Sequence, residues 1–155
     1  MLYSGVLLLH SWLRWGVVLL GVLALSRSLT GWLRSRAWTA VDRRVQLAFV
    51  SVFDLQMLLG MTLYFALSPL TPRSLEAFRM NMGISQLRFF GLDHPLMMLL
   101  ALTAAHAASA MSRRDGPARQ RHRTWAIGLL IAALLIAFAI PWPAMSVGRP
   151  LIRGF

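Results

Sequence analysis

Four apolar stretches, at about residues 2–25, 46–67, 92–111 and 124–141, each come close to the length that crosses a hydrocarbon core of roughly 30 Å as a helix. No other feature restricts the fold as strongly, because inside a bilayer every backbone N–H and C=O must find its partner within the protein. The expected class is all-α: an integral membrane four-helix bundle, one domain over residues 1–155, ending in an irregular tail over 142–155. Apolar residues make up 57% of the chain and the mean hydropathy is +0.61, too greasy for a soluble domain, while 155 residues are too few for two domains. The first stretch has no basic leader and is too long for the apolar core of a signal peptide, so it is expected to stay as a helix.

A net charge of +11 raises the question of nucleic acid. All sixteen basic residues are arginine, and they gather in the gaps between apolar stretches instead of forming a stripe with interleaved aromatics. That pattern belongs to membrane flanks, so the expected partner is the lipid bilayer and not a nucleic acid. The absence of cysteine excludes disulfides, iron–sulfur ligation, thiol nucleophiles and covalent c-type haem attachment. No internal repeat, G-x-G-x-x-G, P-loop or H-E-x-x-H motif occurs.

The arginines also set an expected orientation. Arg27, Arg34, Arg36, Arg43 and Arg44 fill the first gap and Arg113, Arg114, Arg119, Arg121 and Arg123 the third, whereas Arg73, Arg79, Arg88, Arg149 and Arg153 fall on the other side. The positive-inside rule then puts both termini on the periplasmic face of a bacterial inner membrane. In the long second gap, "ISQLRFFGL" reads as a short amphipathic piece lying at the interface. The tail carries Pro141, Pro143 and Pro150, with Trp142 suited to the headgroup belt.

Ionisable groups within the spans need a partner or a purpose, since each costs a few kcal/mol or more at mid-bilayer. At about 1.5 Å per residue, Arg14 and Asp54 fall at similar depth on antiparallel helices. Arg14 is the only arginine inside a span and Asp54 the only acid away from the end of one, so a buried Arg14–Asp54 ion pair is expected, with Gln56 or Thr62 assisting. Its plainest role is to lock two helices together.

His10, in "LLLHSWLRW", and His94, in "GLDHPLMML", lie toward the same leaflet. Two imidazoles facing each other across a bundle are what a bis-histidine b-type haem requires, with Arg14, Arg88, or the loop residues Arg73 and Arg79 available for its propionates. Counted from the ends of the apolar stretches, His94 is the shallower of the two. The site therefore needs the third helix to begin early, near Phe89, which Pro95 in a first turn permits. His106 follows His94 by twelve residues, about 120° around the helix, and reads as a packing position bonded to a neighbouring helix. His122, in the arginine-rich gap, reads as solvated. A soft Cu(I) site from His94, Met97 and Met98 with Met57 and Met61 is the weaker alternative, because methionine is a common apolar filler.

The blocks "LHSWLRW", "DLQMLLGMTLYF", "LRFFGLDHPLMMLLA" and "IPWP" resemble a family of small bacterial four-helix membrane proteins commonly labelled cytochrome b. The likeness covers most of the chain. It implies a polar core of His10, Arg14, Gln56 and His94, with His10 and His94 as the ligands of haem b. Members of that family tend to carry histidine where this chain has Asp54, a departure that removes one potential ligand and supplies a partner for Arg14. Two functions follow as expectations. One is a single-haem electron carrier near the periplasmic face, exchanging electrons with a quinone or an enzyme. The other is a non-catalytic accessory subunit of a larger respiratory or photosynthetic complex.

Overall fold

The computed structural model of the chain describes residues 1–152, and all its regular structure is helical, with no strand among them. Arg153, counted above among the arginines of the second side, lies outside the described residues. Helix α1 spans Leu2–Leu33, and α2 spans Ala40–Thr62 before running on through a π-helical turn, Leu63–Leu67. Two short helices follow, α3 (Leu75–Asn81) and α4 (Ser85–Arg88). A second π-helical turn, Phe89–Asp93, joins α4 without a break to α5 (His94–Ser112), and α6 spans Ala118–Ala139. The four continuous stretches Leu2–Leu33, Ala40–Leu67, Ser85–Ser112 and Ala118–Ala139 are long and apolar enough to cross a membrane.

The start of the third stretch differs from expectation in an informative way. Residues 85–93 are not a separate piece lying at the interface; they are the opening turns of the helix that carries His94. Pro95 lies inside this continuous helix, where the π turn just before it absorbs the change in winding and the Gly91 carbonyl, four residues back, accepts from the Tyr64 hydroxyl instead. His94 therefore lies about as deep along its helix as His10 along α1.

Helix α1 packs on α2 and α6, α6 packs most closely on α5, and α2 touches α5 more loosely. The order around the bundle is α1, α2, α5, α6, which sets α1 and α5 across a diagonal. Small residues let the backbones approach: a Cβ added at Gly128 of α6 would sit 2.1 Å from Ala108 Cβ and 3.3 Å from the Ala104 carbonyl of α5. Ala101, Ala105 and Ala132 complete that seam, and Phe49, Phe53, Trp125 and Leu129 fill the centre. Leu19 and Phe138 remain 67% and 69% exposed while Gln46, Ser112 and His122 are wholly buried. Large apolar groups outside and polar groups inside reverse the soluble pattern and suit a lipid surround.

The arginine-rich end is tied by Asp42. Thr39 and Asp42 form a reciprocal capping box at the start of α2, with the Thr39 N–H donating to Asp42 Oδ2 at 2.9 Å. The other carboxylate oxygen accepts from Arg27 Nε at 3.0 Å and from an Arg36 NH2 group at 2.7 Å. One buried acid thus joins α1, the connecting loop and α2. Nearby, His122 corrects the expectation of a solvated loop residue. Helix α6 already begins at Ala118, so His122 lies in its first turns, wholly buried 4.8 Å from the Trp38 ring and against Gly31.

Candidate functional site

At the opposite end of the bundle, where α1 starts and α6 ends, the diagonal pair of helices leaves a cavity of about 580 Å³. His10 enters it from α1 and His94 from α5, with ring centroids 6.3 Å apart and ring planes inclined at 70°. The His94 ring is oriented by its Nδ1, 2.8 Å from the carbonyl of Ala139 in the last turn of α6. That contact makes Nδ1 the protonated nitrogen and leaves Nε2 with its lone pair.

His10 is positioned from α2. Gln56 Nε2 donates to the His10 carbonyl at 3.0 Å and lies 3.3 Å from His10 Nε2. The absence of a side chain at Gly60 makes room, since a Cβ there would stand 3.3 Å from His10 Cε1. His10 Nδ1 and Gln56 Oε1 are buried without a hydrogen-bond partner among the described residues. Unsatisfied polar atoms beside a cavity are costly unless a ligand or water completes them.

The second gap and the tail close the mouth. Thr71 donates to the Tyr64 carbonyl at 2.7 Å, and Tyr64 to the Gly91 carbonyl at 3.0 Å, which ties the two π turns to each other. Gly91 suits this close approach, since an added Cβ would stand 3.1 Å from the Pro72 ring. The tail folds back over the cavity. Arg14 and the Trp15 indole both donate to the Leu151 carbonyl, at 2.5 and 3.1 Å, and Arg149 lies 5.3 Å from the Phe90 ring centre.

The expected Arg14–Asp54 pair is not formed. Asp54 Oδ1 instead meets His106 Nε2 of α5 at 2.7 Å on the outside of the bundle. The two residues do share a depth, as counted from the helix ends. The azimuth differs: Gln56 faces His10 in the interior, and Asp54, two residues earlier, is turned about 200° away. Arg88 also falls outside the cavity, exposed and paired with Asp93 at 3.2 Å. Arg73 caps the carbonyls of Phe65 and Ser68 at the end of the first π turn, and Arg79 is exposed on α3. The cationic groups that do line the cavity are Arg14 and Arg149, and no carboxylate lines it among the described residues.

Of the sulfur set, Met57, Met61 and Met98 line the cavity and Met97 does not. No group of three or more His, Cys, Asp or Glu side chains suited to a metal ion is present among the described residues. Sequence reasoning missed Arg149 and Asp42. Arg149 sits in a proline-rich tail with no periodicity to place it, whereas Asp42 had a legible signal, the T-x-x-D spacing of a capping box. No family model, no curated protein and no solved structure matches this chain.

Proposed function

We propose that the chain is a membrane b-type-cytochrome-like protein, holding one haem between His10 and His94 and passing single electrons near the membrane face on which its termini lie. The observation that carries this reading is the separation of the two imidazoles. With metal–nitrogen bonds of about 2.0–2.1 Å and roughly 1 Å from each nitrogen to its ring centre, two rings on either side of one metal stand about 6 Å apart. The observed 6.3 Å fits that value.

The surroundings support the same reading. A mostly apolar cavity of about 580 Å³ lies within the range of cofactor sites, and Arg14 and Arg149 in its lining match a ligand bearing carboxylates. The Ala139 carbonyl holding His94 Nδ1 is the outer partner that orients a ligating histidine and raises its basicity. Gln56 holds the His10 backbone, and its unsatisfied Oε1 together with His10 Nδ1 marks a site awaiting a further group. When bound, the haem supplies one-electron storage. The chain ligates it, sets its orientation, compensates its charge and keeps water out with the loop and tail. The arginine distribution supports placing this end on the periplasmic side of a bacterial inner membrane, with a quinol or a membrane enzyme as donor.

The test is haem content of the full chain expressed with haem supplied. His10→Ala and His94→Ala should each lose the b-type absorption band while still inserting, and His106→Ala and His122→Ala should keep the parent's haem-to-protein ratio. Equal haem in all four variants and the parent would remove the basis of the assignment.

A further inference from the structure

The arginine-rich end carries more positive charge than the chain itself answers. Asp42 is buried there and already held by Arg27 and Arg36, and the other acid of that end is the exposed Asp115. Arg119 and Arg123 are exposed on the first turns of α6, and neither forms an ion pair among the described residues. They stand four residues apart, the spacing at which like charges on a helix repel and cost stability unless an anion lies between them. The opposite end has no such pair, since Arg88 meets Asp93 and Arg73 caps carbonyls.

We infer that Arg119 and Arg123 bind the phosphate headgroup of an anionic phospholipid whose acyl chains lie along α6. Three features of one face carry this. The planar guanidinium groups offer a phosphate paired N–H donors. The Arg123 guanidinium carbon lies 5.8 Å from the ring centre of Trp32 in the last turn of α1, so an indole suited to the headgroup level sits beside the cation. Below the arginines, Ile127, Leu130, Ile131 and Leu134 are exposed, and at 100° per residue all six side chains fall within a sector of about 120°. From Arg123 to Leu134 the helix descends about 16 Å, the depth of one leaflet of a core roughly 30 Å thick. A cation pair above an apolar stripe one leaflet deep is complementary to both parts of a phospholipid. A soluble anion would use the cations and leave the stripe. The other side of α6, with His122, Trp125 and Leu129, is buried in the bundle, which keeps this face outward.

The test follows the melting of the full chain in detergent as lipid is added. Phosphatidylglycerol should raise the melting temperature by about 5–10 °C near saturation, and phosphatidylcholine with the same acyl chains by much less. Added salt should shrink the difference. Arg119→Gln combined with Arg123→Gln should remove most of the phosphatidylglycerol gain without lowering the melting temperature in its absence, because both side chains are exposed and repel each other. Arg43→Gln combined with Arg44→Gln, on the exposed start of α2, should keep the gain. If the first double variant does not accumulate, native mass spectrometry of the parent from an equal mixture of the two lipids gives the same answer: phosphatidylglycerol should stay bound in excess, and equal retention would refute the site. Equal stabilisation by both lipids would overturn the proposal. So would the same gain from inorganic phosphate, which marks a soluble-anion site, or an equal loss in the two double variants, which marks diffuse charge around the rim. None of these outcomes depends on whether the cavity holds haem.

Discussion

Replacing Asp42 with asparagine tests how the arginine-rich end is held together. The carboxylate is 3% exposed and meets two guanidinium groups whose side chains are 28% and 34% exposed, at 2.9 and 2.7 Å. Unit charges about 4 Å apart attract by about 4 kcal/mol at the effective dielectric near a protein surface. Removing one partner of a buried pair costs about 3–5 kcal/mol. Because water or headgroups reach both arginines, the net loss for Asp42→Asn is about 2–3 kcal/mol, with the amide oxygen still available to cap Thr39. Asp42→Ala also loses the cap, about 1 kcal/mol more. For a chain of this size each kcal/mol is worth about 2–4 °C, so Asp42→Asn should melt about 4–12 °C below the parent in detergent. Arg27→Leu should be milder, since Arg36 still answers the acid. If Asp42→Asn melts within a degree of the parent while Arg27→Leu is the more damaged, the carboxylate is not the hub described above.

Two other outcomes follow from the packing and the charge pattern. Gly128→Ala places a methyl group 2.1 Å from Ala108 Cβ, an overpacking that should cost about 1–3 kcal/mol, measured as loss of the parent's melting temperature, whereas Gly5→Ala, with open space around it in the first turns of α1, should not lower it. In intact cells, Asp115→Cys should be shielded from a membrane-impermeant thiol reagent and Glu76→Cys labelled, with the reverse pattern refuting the orientation drawn from the arginines.

The helices were legible because apolar length is a one-dimensional signal. Depth was legible too: equal counts from the helix ends put Arg14 and Asp54 at one level, and the structure keeps them there. Azimuth was not. A soluble helix shows its buried side as an apolar stripe, but α1 is apolar nearly all round, with Leu19 and Val17 alike in character and opposite in burial. Hence the acid at position 54 could be assigned to Arg14 when it belongs to His106, and Arg88 could be preferred to Arg149. The π turn at Phe89–Asp93 was equally hidden, because no residue type demands it, yet it brings His94 to the level of His10. His122 was misplaced for a different reason. Its neighbours in sequence are arginines, but the residue that decides its environment is Gly31, which is far away in the chain.

The most direct measurement of the central claim is the electron paramagnetic resonance spectrum of the purified, oxidised chain. Two imidazoles on one ferric haem give a low-spin signal, and the 70° between the His10 and His94 ring planes calls for the strongly anisotropic form that crossed ligand planes produce. The account predicts that signal from a single species, lost in both His10→Ala and His94→Ala. A high-spin spectrum, or no haem signal from a folded chain supplied with haem, would contradict it.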